Sequence, residues 1–293
     1  MTMIKVAVDG GQSALRLRVI GGRTGTGPGF THGSNTVQDM LDAISTAASE
    51  AELTQPVEVV ALGLTGFPAD PPIARLLAEG IAKTLAAKEV RLTQDMVTAH
   101  AGALPDRYGV VVAAGTGLVC LAVDRDGSWR KIDGHGYLFG DAGSAFAIGR
   151  AGLVAVQRAR DGRGPATALA ETPLDPVNLY SSPTLVDDVA RFAPVVLAAA
   201  ADGDAVARAI VVQAAGDVAE TIEAAVRPMT GRVPVACVGG LFQGGEQLLE
   251  PLRAALPSRA ELVPAAGNSL DGAERLAVGP PGPYADLILV HRS

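Results

Sequence analysis

The residues of this chain that are best suited to chemistry follow a short apolar run near its start. Ile4 to Val8 reads as a β-strand, and it ends at Asp9-Gly10-Gly11-Gln12-Ser13 before a second strand-like run begins at Ala14. Glycines let backbone N–H groups approach a phosphate closely, and the hydroxyl of Ser13 adds a donor. The carboxylate of Asp9 can hold Mg²⁺ through water, because Mg²⁺ loses its water reluctantly. An ordinary hairpin turn has the same composition, so the turn alone leaves both interpretations open.

Two further glycine turns follow apolar runs later in the chain. Gly115-Thr116-Gly117 separates the strand-like runs Tyr108 to Ala114 and Leu118 to Val123, so it repeats the opening order of strand, glycine-and-hydroxyl turn and strand. Gly239-Gly240 ends the apolar run Val233 to Val238. This last pair is either a tight turn or a place where the missing side chains leave room for a flat base.

Polar side chains also stand at the ends of other predicted elements. Thr65 follows the apolar strand Val57 to Leu64, and Asp95 lies between a short strand and a helix. Ligands bind at the carboxyl ends of strands in open α/β sheets, so Thr65 is a candidate binding residue. Asp95 either caps its helix or acts as a general base. Asn35 either caps the next helix or presents its amide to a ligand.

A glycine-dense stretch precedes the long predicted helix Ala145 to Arg160. Asp133 to Ser144 contains four glycines in twelve residues, together with His135 and the acid Asp141. Glycine at this density costs conformational entropy unless the backbone needs it. A lone histidine is more often a surface loop residue, and no second histidine stands at metal-ligand spacing, so a zinc site is not expected.

The elements that hold these residues predict two domains. The chain has 293 residues, of which 48% are hydrophobic and 19% charged, and this suits a globular core. Two similar strand meanders open its two halves, which predicts two α/β domains of related architecture that face each other across a cleft. We expect an N-terminal domain over residues 1–104 and a C-terminal domain over residues 105–293, with a helix at 268–277 packing back towards the first. The tail 279–293 has no predicted place.

Composition and charge exclude several classes of protein. A net charge of −7 argues against general affinity for nucleic acid. The start has no basic segment before a long apolar run, and no run of about 18 apolar residues appears, so neither a signal peptide nor a membrane span is predicted. Cys120 and Cys237 stand alone in predicted strands and read as small buried hydrophobes. A cytoplasmic protein agrees with these features.

Taken in order, the motifs resemble a known family. Its pattern is matched by Asp9 to Ser13, Asn35, Thr65-Gly66, Asp95, Gly115 to Gly117, Gly134 to Ser144 and Gly239-Gly240. This order resembles the N-acetylglucosamine kinase branch of the BadF/BadG/BcrA/BcrD ATPase family, within the actin/hexokinase/Hsp70 superfamily of phosphotransferases. The resemblance runs from about residue 4 to about residue 277. Each motif is weak by itself, and the shared order makes the resemblance specific.

The resemblance implies an α/β fold of two ribonuclease H-like domains, each with a mixed sheet and flanking helices, and binding of ATP and a sugar in the cleft between them. Asp9 would lie near Mg²⁺, and Asp95 would take the proton from a sugar hydroxyl. The pattern also assigns the nucleotide phosphates to Gly10, Gly11, Gln12 and Ser13 of the first loop and to Gly115, Thr116 and Gly117 of the second. It assigns the adenosine to Gly239 and Gly240. The sugar is assigned to Asn35, Thr65, Gly134, His135 and Asp141.

The reaction that the resemblance implies is transfer of the γ-phosphate of ATP to a hydroxyl, expected at position 6, of N-acetylglucosamine or glucosamine. Two departures from the family pattern leave the sugar open. His135 stands where the animal enzymes have Trp, and Ala142 stands where the pattern commonly has Glu. Glucose and a muropeptide-derived sugar are therefore alternatives. Homodimers are common among the relatives, so a homodimer is a further expectation.

Two other functions are compatible with the same resemblance. One is the activator ATPase of the family, a dimer bridged by an iron–sulfur cluster on exposed cysteines, which disagrees with Cys120 and Cys237 in predicted strands. The other is a non-catalytic sugar sensor. Sensors of this kind have a helix-turn-helix module, and a strand that begins at Ile4 leaves no room for one in front of it. A sugar-binding protein without turnover stays open.

Overall fold

The structure is a computed structural model that describes residues 3–11, 14–29, 37–172, 176–243 and 246–293. The chain divides into two compact units. The first comprises Met1–Tyr108, Val123–Trp129 and Ala265–Ser293, and the second comprises Gly109–Ala122 and Arg130–Pro264. The sequence predicts a second domain over residues 105–293, with only the helix at 268–277 packing back towards the first. The structure groups the whole segment 265–293 with the first unit.

The described chain contains both strands and helices, and three consecutive strands open each half of it. The strands are Ile4–Gly10 (β1), Ala14–Val19 (β2), Thr24–Pro28 (β3), Val57–Leu64 (β4), Ala87–Gln94 (β5), Gly109–Ala114 (β6), Leu118–Val123 (β7), Trp129–Asp133 (β8), Val233–Val238 (β9), Ala260–Leu262 (β10) and Leu289–Arg292 (β11). The α-helices are Val37–Glu50 (α1), Pro71–Thr84 (α2), Asp95–Ala103 (α3), Ala145–Arg160 (α4), Leu185–Ala190 (α5), Ala193–Ala201 (α6), Ala205–Val226 (α7), Gly240–Gln243 (α8), Glu246–Ala255 (α9) and Ser269–Val278 (α10). Short 3-10 helices cover Ala168–Glu171, Pro176–Ser181 and Gly282–Leu287.

The first unit is built on a mixed sheet with the strand order β11-β5-β4-β1-β2-β3. Strands β1, β4 and β5 are parallel neighbours, whereas β2, β3 and β11 run antiparallel to their partners. Strands β1 and β4 are mostly apolar on both faces because both faces are covered, whereas β5 includes the polar residues Lys88, Glu89 and Arg91. Helices α1 and α2 contribute to the large core cluster with the sheet, and α10 packs against α3 and β1.

The second unit is built on a sheet with the strand order β10-β9-β6-β7-β8. Strand β9 is parallel to both β6 and β10. Helix α4 packs against α5, α6 and α7, and α7 packs against α9. Among the described residues, no helix is long and apolar enough to cross a membrane.

The sequence predicts one helix over residues 184–200, and this prediction is wrong. The structure has two helices there, α5 and α6, separated at Arg191 and Phe192. Pro194 stands in the first turn of α6. Proline has no N–H to donate to the carbonyl four residues before it, so the first helix ends and a second one starts.

The C-terminal segment, which had no predicted place, completes the first sheet. Strand β11 pairs antiparallel with β5, and the hydroxyl of Thr93 donates to the carbonyl of Leu287 at 2.7 Å. Tyr284 is completely buried, and its hydroxyl lies 2.8 Å from Nδ1 of His100 on α3. Arg91 donates to the carbonyl of Gly279 at 2.7 Å. These contacts attach the end of the chain to β5 and α3.

Candidate functional site

The parallel strands of the first unit end side by side. Their register places Asp9 of β1 opposite Gly63 of β4, and Gly63 opposite Thr93 of β5. The residues that follow therefore leave the sheet at one edge, and the N–H of Thr65 donates to the carbonyl of Gly10 at 2.8 Å. Carboxyl ends of parallel strands are where α/β folds bind ligands. The structure thus brings together Asp9, Thr65 and the start of α3.

Thr65 and Asp95 are directly bonded. The hydroxyl of Thr65 donates to Oδ2 of Asp95 at 2.5 Å. Asp95 is half-buried and is the first residue of α3, while the N-cap position belongs to Gln94, whose side chain makes no capping bond. In the part of the chain that the structure describes, the Asp95 carboxylate bonds to Thr65 and caps no N–H of its helix. Its position therefore favours chemistry over capping.

Asp9 is a buried carboxylate beside the first glycine turn. Its Oδ2 accepts a hydrogen bond from Nη2 of Arg16 at 2.7 Å, and the two residues are direct partners across β1 and β2. Burial raises the pKa of Asp9 above its ordinary value, the Arg16 guanidinium opposes this, and the negative charge of Asp95 adds to it. Asp9 and Asp95 therefore interact electrostatically at the same sheet edge.

The first glycine turn is described only in part. The N–H of Gly11 donates to the carbonyl of Ala14 at 3.0 Å, which closes the turn between β1 and β2. Gln12 and Ser13 lie outside the described residues, and so does Asn35. Their assignments to phosphate and sugar stay predictions.

In the second unit, the Gly115–Gly117 loop contacts the start of α4. The N–H of Gly115 donates to the carbonyl of Gly117 at 2.9 Å, and the carbonyls of Gly115 and Thr116 accept from Ala145 and Phe146 at 3.0 and 3.1 Å. These bonds fix the loop at a helix N-terminus, where the aligned peptide dipoles favour negative charge.

The glycine-dense stretch folds against the same loop. Asp141 is buried, has the positive φ of 58°, and accepts the N–H of Gly136 on Oδ1 at 3.1 Å. A Cβ added at Gly117 would lie 2.5 Å from Asp141 Oδ2, so the carboxylate sits directly beside the loop. The carbonyl of Gly134 accepts a hydrogen bond from Nζ of Lys131 at 2.9 Å. The side chain of His135 is exposed.

Asp133 holds this glycine-dense stretch in place, although it is not among the site residues predicted from the sequence. Its two carboxylate oxygens accept the N–H groups of Asp141 and Ala142 at 2.8 and 3.1 Å. The only available signal was its place as the first residue of the glycine-dense stretch. A second unselected acid, Asp187 of α5, lies 3.4 Å from the hydroxyl of Thr116.

The third glycine turn lies next to the second. Strands β6 and β9 are parallel with Ala113 opposite Val238, so Gly239 emerges beside Ala114. Gly239 has φ 101°, and a Cβ there would lie 2.2 Å from the Ala114 carbonyl. A Cβ at Gly240 would meet nothing within 4 Å. The backbone of Gly239 therefore requires glycine, and the surface above Gly240 is open.

The carboxylate of Asp9 suits a magnesium ion that takes most of its other ligands from water and from substrate phosphates. The described residues contain no group of three or more His, Cys, Asp or Glu that could hold a metal ion. Mg²⁺ commonly binds through one or two carboxylates, water and substrate phosphates rather than in a protein cage. The Asp9 carboxylate uses Oδ2 for Arg16, and its oxygens are the hard donors that Mg²⁺ prefers. The residues present therefore fit the ion.

The two cysteines are unsuited to cluster chemistry. Cys120 is completely buried, and burial raises the pKa of its thiol. Burial also raises the pKa of Cys237 to about 12. Thiols with such raised pKa values stay protonated near neutral pH, whereas cluster ligands are thiolates. Cys120 agrees with its interpretation as a small buried hydrophobe, whereas Cys237 is only partly buried.

Two α/β units with mixed sheets and glycine loops at their strand ends define the actin/hexokinase-type fold of sugar kinases. The family model for the BadF/BadG/BcrA/BcrD ATPase family matches residues 10–266, and the chain belongs to this family. Both the predicted family and the predicted fold class are thereby confirmed.

Named relatives are sugar kinases. A solved structure from Chromobacterium violaceum, provisionally named N-acetylglucosamine kinase, shares 30% identity and a TM-score of 0.74, and the match covers 94% of this chain and 99% of that one. An N-acetylmuramic acid/N-acetylglucosamine kinase from Clostridium acetobutylicum is 27% identical over 56% of this chain and 58% of its own length. An N-acetyl-D-glucosamine kinase from Dictyostelium discoideum is 28% identical over 50% of each chain. The matches thus span only about half the length of these two curated relatives.

Proposed function

We propose that this protein is an ATP-dependent sugar kinase that phosphorylates an amino sugar, N-acetylglucosamine or glucosamine. The observation that supports this most directly is the Asp95 carboxylate, held by Thr65 at the strand edge that also bears Asp9. Membership of an ATPase family and the names of the relatives support the same class of reaction.

Asp95 is the proposed general base. Thr65 occupies Oδ2 of Asp95, which leaves Oδ1 to accept the proton of a sugar hydroxyl, expected at position 6. The sugar oxygen forms a bond to the γ-phosphorus while the bond from that phosphorus to the β–γ bridging oxygen breaks. ADP leaves with the electron pair, and the proton resides on Asp95. Catalysis of this kind depends mainly on positioning and charge stabilisation.

Backbone N–H groups are the proposed phosphate ligands. Gly10 and Gly11 lie at the end of β1, and Gly115, Thr116 and Gly117 contact the start of α4. The N–H groups of Gly11 and Gly115 already donate to the carbonyls of Ala14 and Gly117, so these two would have to exchange that bond for one to a phosphate oxygen. Gly239 and Gly240 present an open backbone surface for the adenosine. When bound near Asp9, Mg²⁺ supplies positive charge that shields the phosphates.

The proposed sugar-binding residues include Thr65, Gly134, His135 and Asp141. Thr65 lies next to the proposed base, and Gly134, His135 and Asp141 belong to the stretch that Asp133 fixes. Because His135 and Ala142 are both exposed, the identity of the sugar depends on side chains that face solvent in this structure. A homodimer stays a prediction.

The test is a substrate panel with ATP and Mg²⁺: N-acetylglucosamine, glucosamine, glucose, N-acetylmannosamine and N-acetylmuramic acid. We expect one hexosamine to be phosphorylated well ahead of the others, with ADP and sugar phosphate formed in equal amounts. Slow ATP hydrolysis without phosphorylation of any of these sugars would contradict the proposal. Product analysis by ³¹P and ¹H NMR identifies the oxygen that receives the phosphate.

A further inference from the structure

Two neighbouring residues of the glycine-dense stretch, Leu138 and Phe139, expose apolar side chains to solvent, and we call them the apolar pair. Leu138 is 69% exposed and Phe139 is 87% exposed. Among the exposed large hydrophobic side chains of the described residues, these are the only two that are consecutive in the chain. A single exposed apolar residue is ordinary, whereas two together form a small apolar surface that a ligand can cover.

The backbone that carries the apolar pair is held by hydrogen bonds. The carbonyl of Gly136 accepts the N–H groups of Phe139 and Gly140 at 3.2 and 2.8 Å, so the chain turns tightly there. The preceding side chain, Tyr137, is partly buried and packs on Phe146 with 5.0 Å between the ring centroids. The apolar pair therefore stands on an ordered loop, and a ligand that covers it does not have to order the loop first.

The apolar pair lies beside residues that the proposed function assigns to the sugar. A Cβ added at Gly140 would lie 2.9 Å from Cβ of His135, so the chain returns to His135 immediately after Phe139. The next residue, Asp141, accepts the N–H of Gly136 on Oδ1. All of these residues belong to the second unit. Apolar side chains next to a few convergent polar groups are the usual lining of a small-molecule site.

The chemistry of the apolar pair selects an apolar group on the sugar rather than the sugar hydroxyls. Leucine and phenylalanine side chains have no hydrogen-bond donor or acceptor to offer a hydroxyl. An acyl chain or an aryl group gains by leaving water, about fourfold in affinity for each fully buried methylene. Because both side chains of the pair stand in solvent, they cover only one side of such a group, and about twofold per methylene is the expected gain.

We propose that Leu138 and Phe139 determine acceptor specificity by contacting an apolar substituent of the amino sugar, and that the enzyme prefers acceptors whose substituent is larger than an acetyl group. This inference rests on the proposed function and adds a substrate class to it. The class comprises amino sugars with a longer acyl chain on nitrogen or with an apolar group on the anomeric oxygen. Both attachments present the same chemistry to the pair, and the experiment distinguishes them.

The experiment measures kcat and KM with ATP and Mg²⁺ for three acceptors: N-acetylglucosamine, N-hexanoylglucosamine and the phenyl β-glycoside of N-acetylglucosamine. For the wild type we expect the KM of at least one derivative to lie about tenfold below that of N-acetylglucosamine. The kcat should change little, because the apolar pair contacts no reacting atom and its contact is the same before and during the reaction. A gain for the hexanoyl derivative places the substituent on nitrogen, and a gain for the phenyl glycoside places it on the anomeric oxygen.

Variants of the apolar pair test whether these side chains cause the preference. In Phe139→Ala and Leu138→Ala we expect the ratio of the KM for N-acetylglucosamine to the KM for the preferred derivative to fall towards one. Phe139→Leu, which keeps an apolar side chain, should retain part of the ratio. The matched control is Tyr180→Ala, because Tyr180 is an aromatic residue of the same unit with 89% exposure and lies outside the glycine-dense stretch. This control should keep the ratio of the wild type.

The outcomes separate the two proposals. If the wild type phosphorylates N-acetylglucosamine at least as well as both derivatives, the role of the apolar pair is overturned and the kinase stands. A preference that persists in Phe139→Ala and Leu138→Ala overturns it as well, and so does an equal loss of kcat/KM for all three acceptors, which indicates a structural role. If the wild type phosphorylates none of them, both proposals fail. Should Phe139→Ala not fold, Leu138→Ala and Phe139→Leu decide by the same ratio.

Discussion

At the scale of residues, the bond between Thr65 and Asp95 gives the carboxylate a defined direction. One oxygen of Asp95 accepts from the hydroxyl of Thr65, which directly follows β4, and the main-chain carbonyl of Asp95 accepts from the hydroxyl of Thr98 at 2.9 Å. The bond from Thr65 restricts rotation of the carboxylate, so its second oxygen has a preferred direction. A general base gains from such an arrangement because little reorganisation is needed when the proton moves.

We predict that Asp95→Asn lowers kcat by about a hundred- to ten-thousandfold, the usual contribution of a general base. Asn keeps the shape of the side chain and can still accept from Thr65, so the melting temperature should stay near that of the wild type. Steady-state kinetics with the preferred hexosamine gives kcat, and thermal unfolding gives the control. Near-normal turnover would remove Asp95 from the mechanism.

We expect the hydroxyl of Thr65 to support activity through its hydrogen bond to Asp95 rather than through packing. Thr65→Val keeps the shape but loses the donor, and we expect kcat/KM for the sugar to fall about tenfold, a low value for a hydrogen bond to a charged group because Asp95 is only half-buried. Thr65→Ser keeps the donor and should retain most of the activity. Comparable losses in both variants, measured under the same conditions, would show that packing and not the hydroxyl is required.

At the scale of elements, strand ends were predictable and side-chain partners were not. The apolar runs β1, β4, β6 and β9 each stop at glycine, threonine or aspartate, so their boundaries can be read from the sequence. The pairing of Asp9 with Arg16 depends on the register between β1 and β2. The hydrogen bond from the N–H of Asp141 to the Asp133 carboxylate depends on the positive φ angles of both residues. Neither property leaves a periodic signal in the sequence.

The helix pair α3 and α10 is packed backbone to backbone. A Cβ added at Gly272 would lie 1.8 Å from the carbonyl oxygen of Thr98 and 2.6 Å from the N of Gly102. Backbone atoms cannot move aside as a flexible side chain can. The close approach of α10 therefore depends on glycine, and α3, which begins with Asp95, is positioned by it.

Gly272→Ala should lower the free energy of unfolding by about 1–3 kcal/mol, because the helices must separate to admit the methyl group. The matched control is Gly216→Ala in α7, where a Cβ would meet nothing within 4 Å. There, the better helix propensity of alanine should raise stability by about 0.5–1 kcal/mol. Urea denaturation of both variants measures the two effects. A stabilising Gly272→Ala would mean that α10 packs less closely than described.

At the scale of the whole molecule, the first unit is assembled from distant parts of the chain. Its sheet begins with β1 and is completed by β11, and α10 covers the face of β1 around Ala7, which packs with Leu270 and Ala273. The sequence predicted that a helix near 268–277 returns to the first domain, but it could not place the tail. Residues such as Tyr284 have no neighbours in sequence that reveal their burial, so only the folded chain shows it.

Tyr284 offers the sharpest test of this assembly. Its ring is completely buried and its hydroxyl pairs with His100, so Tyr284→Ala should cost about 3–5 kcal/mol, as do other large aromatic truncations in cores. The control is Tyr180→Ala, since Tyr180 is 89% exposed and its loss should change stability by less than about 0.5 kcal/mol. Urea denaturation followed by circular dichroism measures both. Because the tail attaches to β5 and α3, the Tyr284 variant should also lose kcat, whereas equal stability of the two variants would show that the C-terminal segment does not belong to the folded first unit.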